Sequence, residues 1–235
     1  MTTKLQAILF DKDGTLFDFQ KSWGNWGGAV LQEFSGGDPD LLRRLADIID
    51  YDLGNSRFLP TSIAIAGTGE EILQAMLPAL PEADPAALLS GLEDRAVQAE
   101  MAPVLPLLPL LSELRGFGLK LGVATNAVEI EAQAHLEQAG ILASFDKVLG
   151  CDSGFGAKPE PGMCSGFAQA TGCDPAQVVM VGDSLHDLHA GRAAGMRTIG
   201  VLTGVASAHD LAPHADAILP DIGHLPAWLA PQMQG

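Results

Sequence analysis

The chain has 235 residues, enough for one large domain or for a core with a smaller companion. A hydrophobic share of 47% against a charged share of 18% supplies an ample core and excludes an intrinsically disordered chain. The net charge of −16 argues against nucleic acid or an anionic membrane as partner, so an anionic ligand needs local positive charge from a metal, a lysine or backbone N–H groups.

In chain order, Leu5 to Phe10 is a short apolar run broken abruptly by Asp11-Lys12-Asp13-Gly14-Thr15. A run of this length with such a boundary predicts a buried strand. Asp11 and Asp13 then stand at the carboxyl end of the strand, where open α/β sheets bind ligands. Side chains at i and i+2 of an extended segment point the same way, so the two carboxylates converge. Converging like charges repel unless a cation lies between them. The pattern favours Mg²⁺, because hard cations take oxygen ligands. A polar turn after a strand accounts for the same residues, and this stretch alone leaves both readings open.

After Thr15 the pattern turns helical. Phe19, Trp23, Trp26 and Val30 share one helical face and read as packing, with Gly27-Gly28 and Gly36-Gly37 as interruptions. Further helices are predicted over Asp40–Tyr51, Glu70–Leu77 and Pro85–Met101. Ser62–Ala66 is the one strand candidate in this block. From Pro103 the chain alternates: helix Leu108–Arg115, strand Leu119–Ala124, helix Ala127–Gln138 and strand Lys147–Leu149. Helix Gly162–Ala170, strand Val178–Val181, helix Leu185–Ala194, strands Thr198–Leu202 and Ala217–Leu219, and a terminal helix follow. This alternation implies a parallel sheet with right-handed crossovers, to which the first strand also belongs. The fold class is therefore α/β: a Rossmann-like parallel sheet with helices on both faces, from residues 1–16 and 103–235. Residues 17–102 form an inserted, mostly helical domain.

The longest apolar run, Ala102–Leu111, is too short to span a bilayer and contains three prolines, so no membrane segment is expected. The amino terminus does not resemble a signal peptide. Cys151, Cys164 and Cys173 form no C-x-x-C pair and cannot all pair off, which fits a reduced, cytoplasmic setting.

Two later strand ends repeat the first polar break, and a lysine loop lies between them. Thr125-Asn126 follows Gly122-Val-Ala124 and opens a helix, where a hydroxyl and backbone N–H groups can receive an anion or simply cap the helix. Gly182-Asp183-Ser184 follows Val178–Val181, with Asp187 one helical turn on. Lys158 lies in a proline-flanked loop. In this order and spacing the set resembles the haloacid dehalogenase superfamily of phosphohydrolases. The motifs are Asp11-Lys-Asp-Gly-Thr15, the strand ending in Thr125, Lys158, and Gly182-Asp-Ser-x-x-Asp187. The resemblance covers residues 5–18 and 103–220. The insertion looks like that family's helical cap of the first type, and Gly67-Thr68-Gly69 is similar to the cap loop of phosphoglycolate phosphatases.

The resemblance implies an Mg²⁺-dependent phosphatase acting on a small phosphorylated metabolite, with 2-phosphoglycolate as the leading substrate. Asp11 is then the nucleophile that forms an aspartyl-phosphate, and Asp13 the general acid and base. Mg²⁺ is held by the Asp11 carboxylate, the Asp13 main-chain carbonyl and Asp183, with Ser184 and Asp187 in support. Thr125, Asn126, Lys158 and the backbone N–H groups of Gly14 and Thr15 receive the phosphoryl oxygens, while Gly67, Thr68 and Gly69 reach the substrate. Lys12 stands where relatives are often apolar and Phe19 where Ser or Thr is common; both read as outside the catalytic set. His186 and His189 read as solvated polar residues rather than a metal site.

Asp13 argues against a dehalogenase, which lacks that second aspartate. A sugar phosphomutase of the same superfamily shares all four core motifs. A phospho-accepting regulatory module is a reading from another class; the helical insertion and Asp13 favour turnover. A dinucleotide site at Gly67-Thr-Gly69 fails because Ile72 occupies the third glycine position and no βαβ unit surrounds it.

Overall fold

The computed structural model describes residues 4–233. Strand β1 (Ala7–Phe10) is followed by helices α1 (Phe19–Phe34) and α2 (Pro39–Ile48). Next come β2 (Tyr51–Asp52), β3 (Arg57–Phe58), α3 (Gly69–Met76) and α4 (Pro85–Val97). The alternating part begins with α5 (Leu107–Gly116), β4 (Lys120–Ala124), α6 (Glu129–Gln138) and β5 (Lys147–Leu149). It continues with α7 (Gly162–Thr171), β6 (Val178–Gly182), α8 (Leu185–Ala193) and β7 (Arg197–Val201). It ends with α9 (Ala208–Leu211), β8 (Ala217–Leu219) and α10 (Leu225–Met233).

A six-stranded sheet in the order β5-β4-β1-β6-β7-β8 carries the alternating part, and every pairing in it is parallel. Burial explains why its strands read as continuous apolar runs. Ala7, Leu9, Val178 and Met180 pack with Met163 and Phe167 of α7 and Ala190 of α8. The alternate residues Ile8, Phe10, Val179 and Val181 are equally buried, so helices cover both faces. The order reverses at β1, whose neighbours β4 and β6 come from different parts of the chain. Phe10 lies opposite both Val123 and Val181, so all three strands end at one level. Such a reversal leaves a crevice beyond the carboxyl ends of the strands.

The chain divides into two compact units. One joins the stretch up to Asp18 with the stretch from Pro103 onward; the other is Phe19–Ala102. The first keeps Leu16 and Phe17, both fully buried. Phe17 bridges to Asp13 and Pro103, and Val104 N–H donates to the Leu16 carbonyl at 3.0 Å.

The second unit has its own core, including Phe19, Trp23, Leu31, Leu45, Tyr51, Phe58 and Met76. Asp38-Pro39 and Asp84-Pro85 start helices as an N-cap followed by proline at N1, which needs no N–H donor there. Three expectations change in this unit. Helix α1 runs through Gly27 and Gly28, because these glycines admit a neighbouring segment. A Cβ on Gly27 would stand 2.5 Å from Phe58 Cζ, and one on Gly28 2.6 Å from Tyr51 Oη. The chain expected to remain helical to Tyr51 leaves α2 at Ile48, and Tyr51 instead pairs antiparallel with Phe58. Ser62–Ala66 is a 3₁₀ turn over Ile63–Ile65, with Ser62 capping Ala64 N–H. Among the described residues no helix is long and apolar enough to cross a membrane.

Candidate active site

Asp11 follows the last residue of β1 and extends its ladder by donating N–H to the Val181 carbonyl at 2.8 Å. Asp183 follows the last residue of β6, and Asp187 lies in the first turn of α8. Oxygen atoms of Asp11, Asp183 and Asp187 lie within 4.8 Å of one another, and all three residues are buried. Lys158 is buried beside them. Its Nζ donates to Asp11 Oδ1 at 2.5 Å, Asp187 Oδ1 at 2.6 Å and the Ala124 carbonyl at 2.8 Å. An ammonium group has three donors, so this lysine is saturated.

Two of these carboxyls titrate abnormally. Burial pushes the Asp11 carboxyl up to about 7, against the lowering effect of Lys158 and with help from the Asp187 charge. Burial, followed by the Asp11 and Asp187 charges, raises Asp183 well above the carboxylate range. Carboxylates facing one another out of water resist ionisation together. A divalent cation removes that resistance. The donor chemistry fits Mg²⁺, since the cluster offers hard oxygen ligands and no sulfur or nitrogen among its side chains.

Local chemistry fixes each member. Asp187 Oδ2 accepts from Ser184 N–H at 3.1 Å and Ser184 Oγ at 2.6 Å, closing a capping box that leaves Oδ1 for Lys158. Gly182 allows this fold-back, as a Cβ there would lie 2.3 Å from Asp187 Cβ. Thr15 Oγ1 donates to Asp183 Oδ1 at 3.2 Å. Gly14 turns with φ +87°, a conformation glycine adopts readily, and a Cβ on it would lie 2.4 Å from Asp183 Oδ2.

The remaining expected residues divide. Thr125 is buried and its Oγ1 accepts from Ala127 N–H at 3.2 Å. The Asn126 carboxamide holds the Lys158 main chain from both sides: Nδ2 donates to its carbonyl and Oδ1 accepts from its N–H, each at 2.8 Å. Asn126 therefore fixes the lysine loop. The Asp13 carboxylate is not part of the three-aspartate cluster; it pairs with Lys12 Nζ at 2.9 Å. Gly67-Thr68-Gly69 belongs to the second unit and forms a capped helix start. Thr68 and Glu71 close a capping box there, and a Cβ on Gly67 would lie 2.6 Å from the Ile63 carbonyl.

Lys12 corrects one expectation: it touches Asp13 and so is joined to the motif residues. Burial alone would lower its pKa, but the Asp13 and Glu131 carboxylates outweigh that and hold it above the ordinary lysine value. Two further residues escape sequence reasoning. Thr203 Oγ1 donates to the Gly14 carbonyl at 2.6 Å, and Gly204 packs so closely on Asp183 that a Cβ would lie 1.7 Å from Oδ2. The only signal for them is a polar break after β7, similar to those after β1 and β6.

Fold and site together define an open α/β protein with a carboxylate–lysine centre where its strand order reverses. Residues 5–195 match the haloacid dehalogenase-like hydrolase family, and the chain belongs to that family. A phosphoglycolate phosphatase of Neisseria meningitidis is 41% identical over 118 residues, covering 49% of this chain and 50% of that protein. Pyrophosphatase PpaX of Bacillus velezensis is 36% identical over 104 residues, covering 44% of this chain and 48% of that protein. The chain thus spans about half the length of these curated relatives. The crystal structure of a predicted phosphoglycolate phosphatase from Haemophilus somnus has a TM-score of 0.72 at 19% identity. That likeness covers 97% of this chain and 99% of the other, and concerns the fold.

Proposed function

We propose that the chain is a phosphatase of small phosphorylated metabolites, working through an aspartyl-phosphate on Asp11 and depending on Mg²⁺. The observation that carries this reading is Lys158, whose Nζ joins Asp11 to Asp187 beside Asp183 at the switch point of the sheet. An Asp11 oxygen attacks phosphorus, and the bond from phosphorus to the leaving oxygen breaks as Asp13 delivers a proton to that oxygen. Water then gives a proton to the Asp13 carboxylate and attacks phosphorus. The bond from Asp11 oxygen to phosphorus breaks, inorganic phosphate leaves, and both aspartates return to their starting states.

Lys158 and the Thr125 hydroxyl supply positive charge and a donor where phosphoryl charge redistributes. Asp187 and Asn126 hold Lys158 in place, and Ser184 holds Asp187. Asp11 and Asp183, with the Asp13 carbonyl, would hold Mg²⁺, which when bound supplies charge compensation for phosphate and carboxylates. This local positive charge is how a chain of net charge −16 takes an anion. Among substrates, 2-phosphoglycolate leads, supported by the sequence likeness to the Neisseria protein.

The test is phosphate release by the purified chain over a panel of small phosphoesters, including 2-phosphoglycolate, inorganic pyrophosphate and a hexose phosphate, with Mg²⁺ or with excess chelator. Release should need Mg²⁺, and Asp11→Asn should form no phosphoenzyme. Full turnover in chelator, or wild-type turnover by Asp11→Asn, removes this reading. Conversion of the hexose phosphate to an isomer without phosphate release would identify a mutase instead.

A further inference from the structure

Between the two motif aspartates lies a lysine with 0% exposure. Lysine is almost never buried so completely unless it is paired, because desolvating an ammonium group is costly. Lys12 Nζ meets Asp13 Oδ2 at 2.9 Å, Glu131 Oε1 at 3.0 Å and His135 Nδ1 at 2.9 Å. Glu131 and His135 stand one turn apart on α6, and both are buried. An ammonium donor requires a lone pair on Nδ1, so the neutral His135 ring carries its proton on Nε2. The helix thus presents two acceptors to one cation, and that cation holds the carboxylate of Asp13.

An apolar side chain would fill this space without burying charge, and replacing buried ionic groups by apolar ones is often neutral or stabilising. The network also has a direction. Lys12, Glu131 and His135 are closed from solvent, whereas the Asp13 side chain keeps 17% exposure. The rigid end of the chain of bonds lies in the core, and its open end is the carboxylate.

We propose that Lys12 is a positioning residue for Asp13, anchored by Glu131 and His135, and that it fixes the orientation in which Asp13 exchanges a proton with the leaving oxygen. This rests on the phosphatase reading. A loose Asp13 would protonate poorly, so substrates that need a protonated leaving group should suffer most. An alkoxide needs that proton; p-nitrophenolate leaves without it.

The experiment compares kcat/KM for the best alkyl phosphate of the panel with that for p-nitrophenyl phosphate. The proteins are wild type, Lys12→Met, Glu131→Gln, Asp13→Asn and Lys12→Met combined with Asp13→Asn, each checked for folding by circular dichroism. Lys12→Met should lose on the order of 10- to 100-fold on the alkyl ester, part of the 10²–10⁴-fold that general acid–base help provides. It should lose less than about threefold on the nitrophenyl ester, which draws little on that help. The double variant should match Asp13→Asn, since a residue acting through Asp13 has nothing left to orient. If Lys12→Met does not fold, Glu131→Gln carries the same comparison and should show the same selectivity. Equal losses on both esters, or a further loss in the Asp13→Asn background, would overturn the assignment while leaving the phosphatase reading intact. A wild-type chain that hydrolyses neither ester overturns that reading and this inference together.

Discussion

Asn126 and Lys158 are joined by a pair of opposed hydrogen bonds, each 2.8 Å, from one carboxamide to one main chain. The residues are 32 apart in sequence, so this contact fixes the lysine loop against the end of β4. The Lys158 ammonium then meets the Ala124 carbonyl at 2.8 Å, and its reach to Asp11 follows from where its backbone is held.

Removing that grip should damage both stability and placement. Asn126→Ala leaves a buried N–H and a buried carbonyl unpaired, at roughly 1–3 kcal/mol. Because Lys158 itself remains, activity should fall by about 10- to 100-fold through misplacement of its charge. Thermal unfolding and kcat together check this. A variant with a lower melting temperature and unchanged kcat would show that the loop holds its position without Asn126.

The buried carboxyls make stability depend on pH. Asp11 has its folded pKa raised from 3.8 to about 7, chiefly by burial. A carboxyl with a raised folded value binds more protons folded than unfolded between those two values. Its stabilising contribution is therefore complete below the unfolded value and is lost as pH rises toward about 7. Asp183 acts in the same direction. In chelator, stability should fall between about pH 4 and pH 7, by up to about 1.4 kcal/mol per pH unit from Asp11. Asp11→Asn should flatten the fall, and saturating Mg²⁺ should offset it at the alkaline end. Calorimetry at four pH values tests this; an identical slope in Asp11→Asn would exclude Asp11 as a source.

In the second unit, one glycine inverts the usual rule for helices. Gly→Ala inside a helix ordinarily stabilises by about 1 kcal/mol. Gly27→Ala would place Cβ 2.5 Å from Phe58 Cζ and 2.9 Å from Cε2, within a packed ring cluster. It should therefore destabilise, by about 1–3 kcal/mol as overpacking does. Gly116→Ala, where a Cβ meets nothing within 4 Å, is the matched control. Melting temperatures that rise in both variants would show that Phe58 yields without cost.

The contrast between Gly27 and Lys12 shows where sequence reasoning stops. Strands β5 and β8 are legible to the residue, because β8 is an apolar triplet and β5 a Val-Leu pair opened by Lys147, each between polar or turn-forming neighbours. The polar breaks after β1, β4 and β6 are equally plain, and the parallel register then brings their ends together. Gly27 and Gly28 look like helix breakers because local propensity is all a sequence displays. Their purpose depends on Tyr51 and Phe58, in two-residue strands too short to show a period. Lys12 is harder still: a lysine in a sequence carries a strong expectation of solvent, and its buried partners lie 119 and 123 residues away. Gly204 leaves no trace beyond a break after β7, since close backbone approach is a tertiary fact.

Gly204 gives the sharpest test of the carboxylate cluster as a metal site. It packs on the Asp183 side chain and carries no charge, so changing it alters geometry and leaves the number of charges fixed. A Cβ at this position would lie 1.7 Å from Asp183 Oδ2 and 2.4 Å from Cγ, so Gly204→Ala must displace the carboxylate or the loop. Asp183 also accepts from Thr15 Oγ1 at 3.2 Å, which resists the displacement. Disturbing a group that orients a metal ligand typically costs 10–100-fold in metal affinity. The Mg²⁺ concentration giving half-maximal thermal stabilisation should therefore rise by about 10- to 100-fold in Gly204→Ala. The same measurement on Gly116→Ala should match wild type. If Gly204→Ala folds and takes Mg²⁺ at the wild-type midpoint, Asp183 is not a ligand, and the metal reading loses the residue on which it most depends.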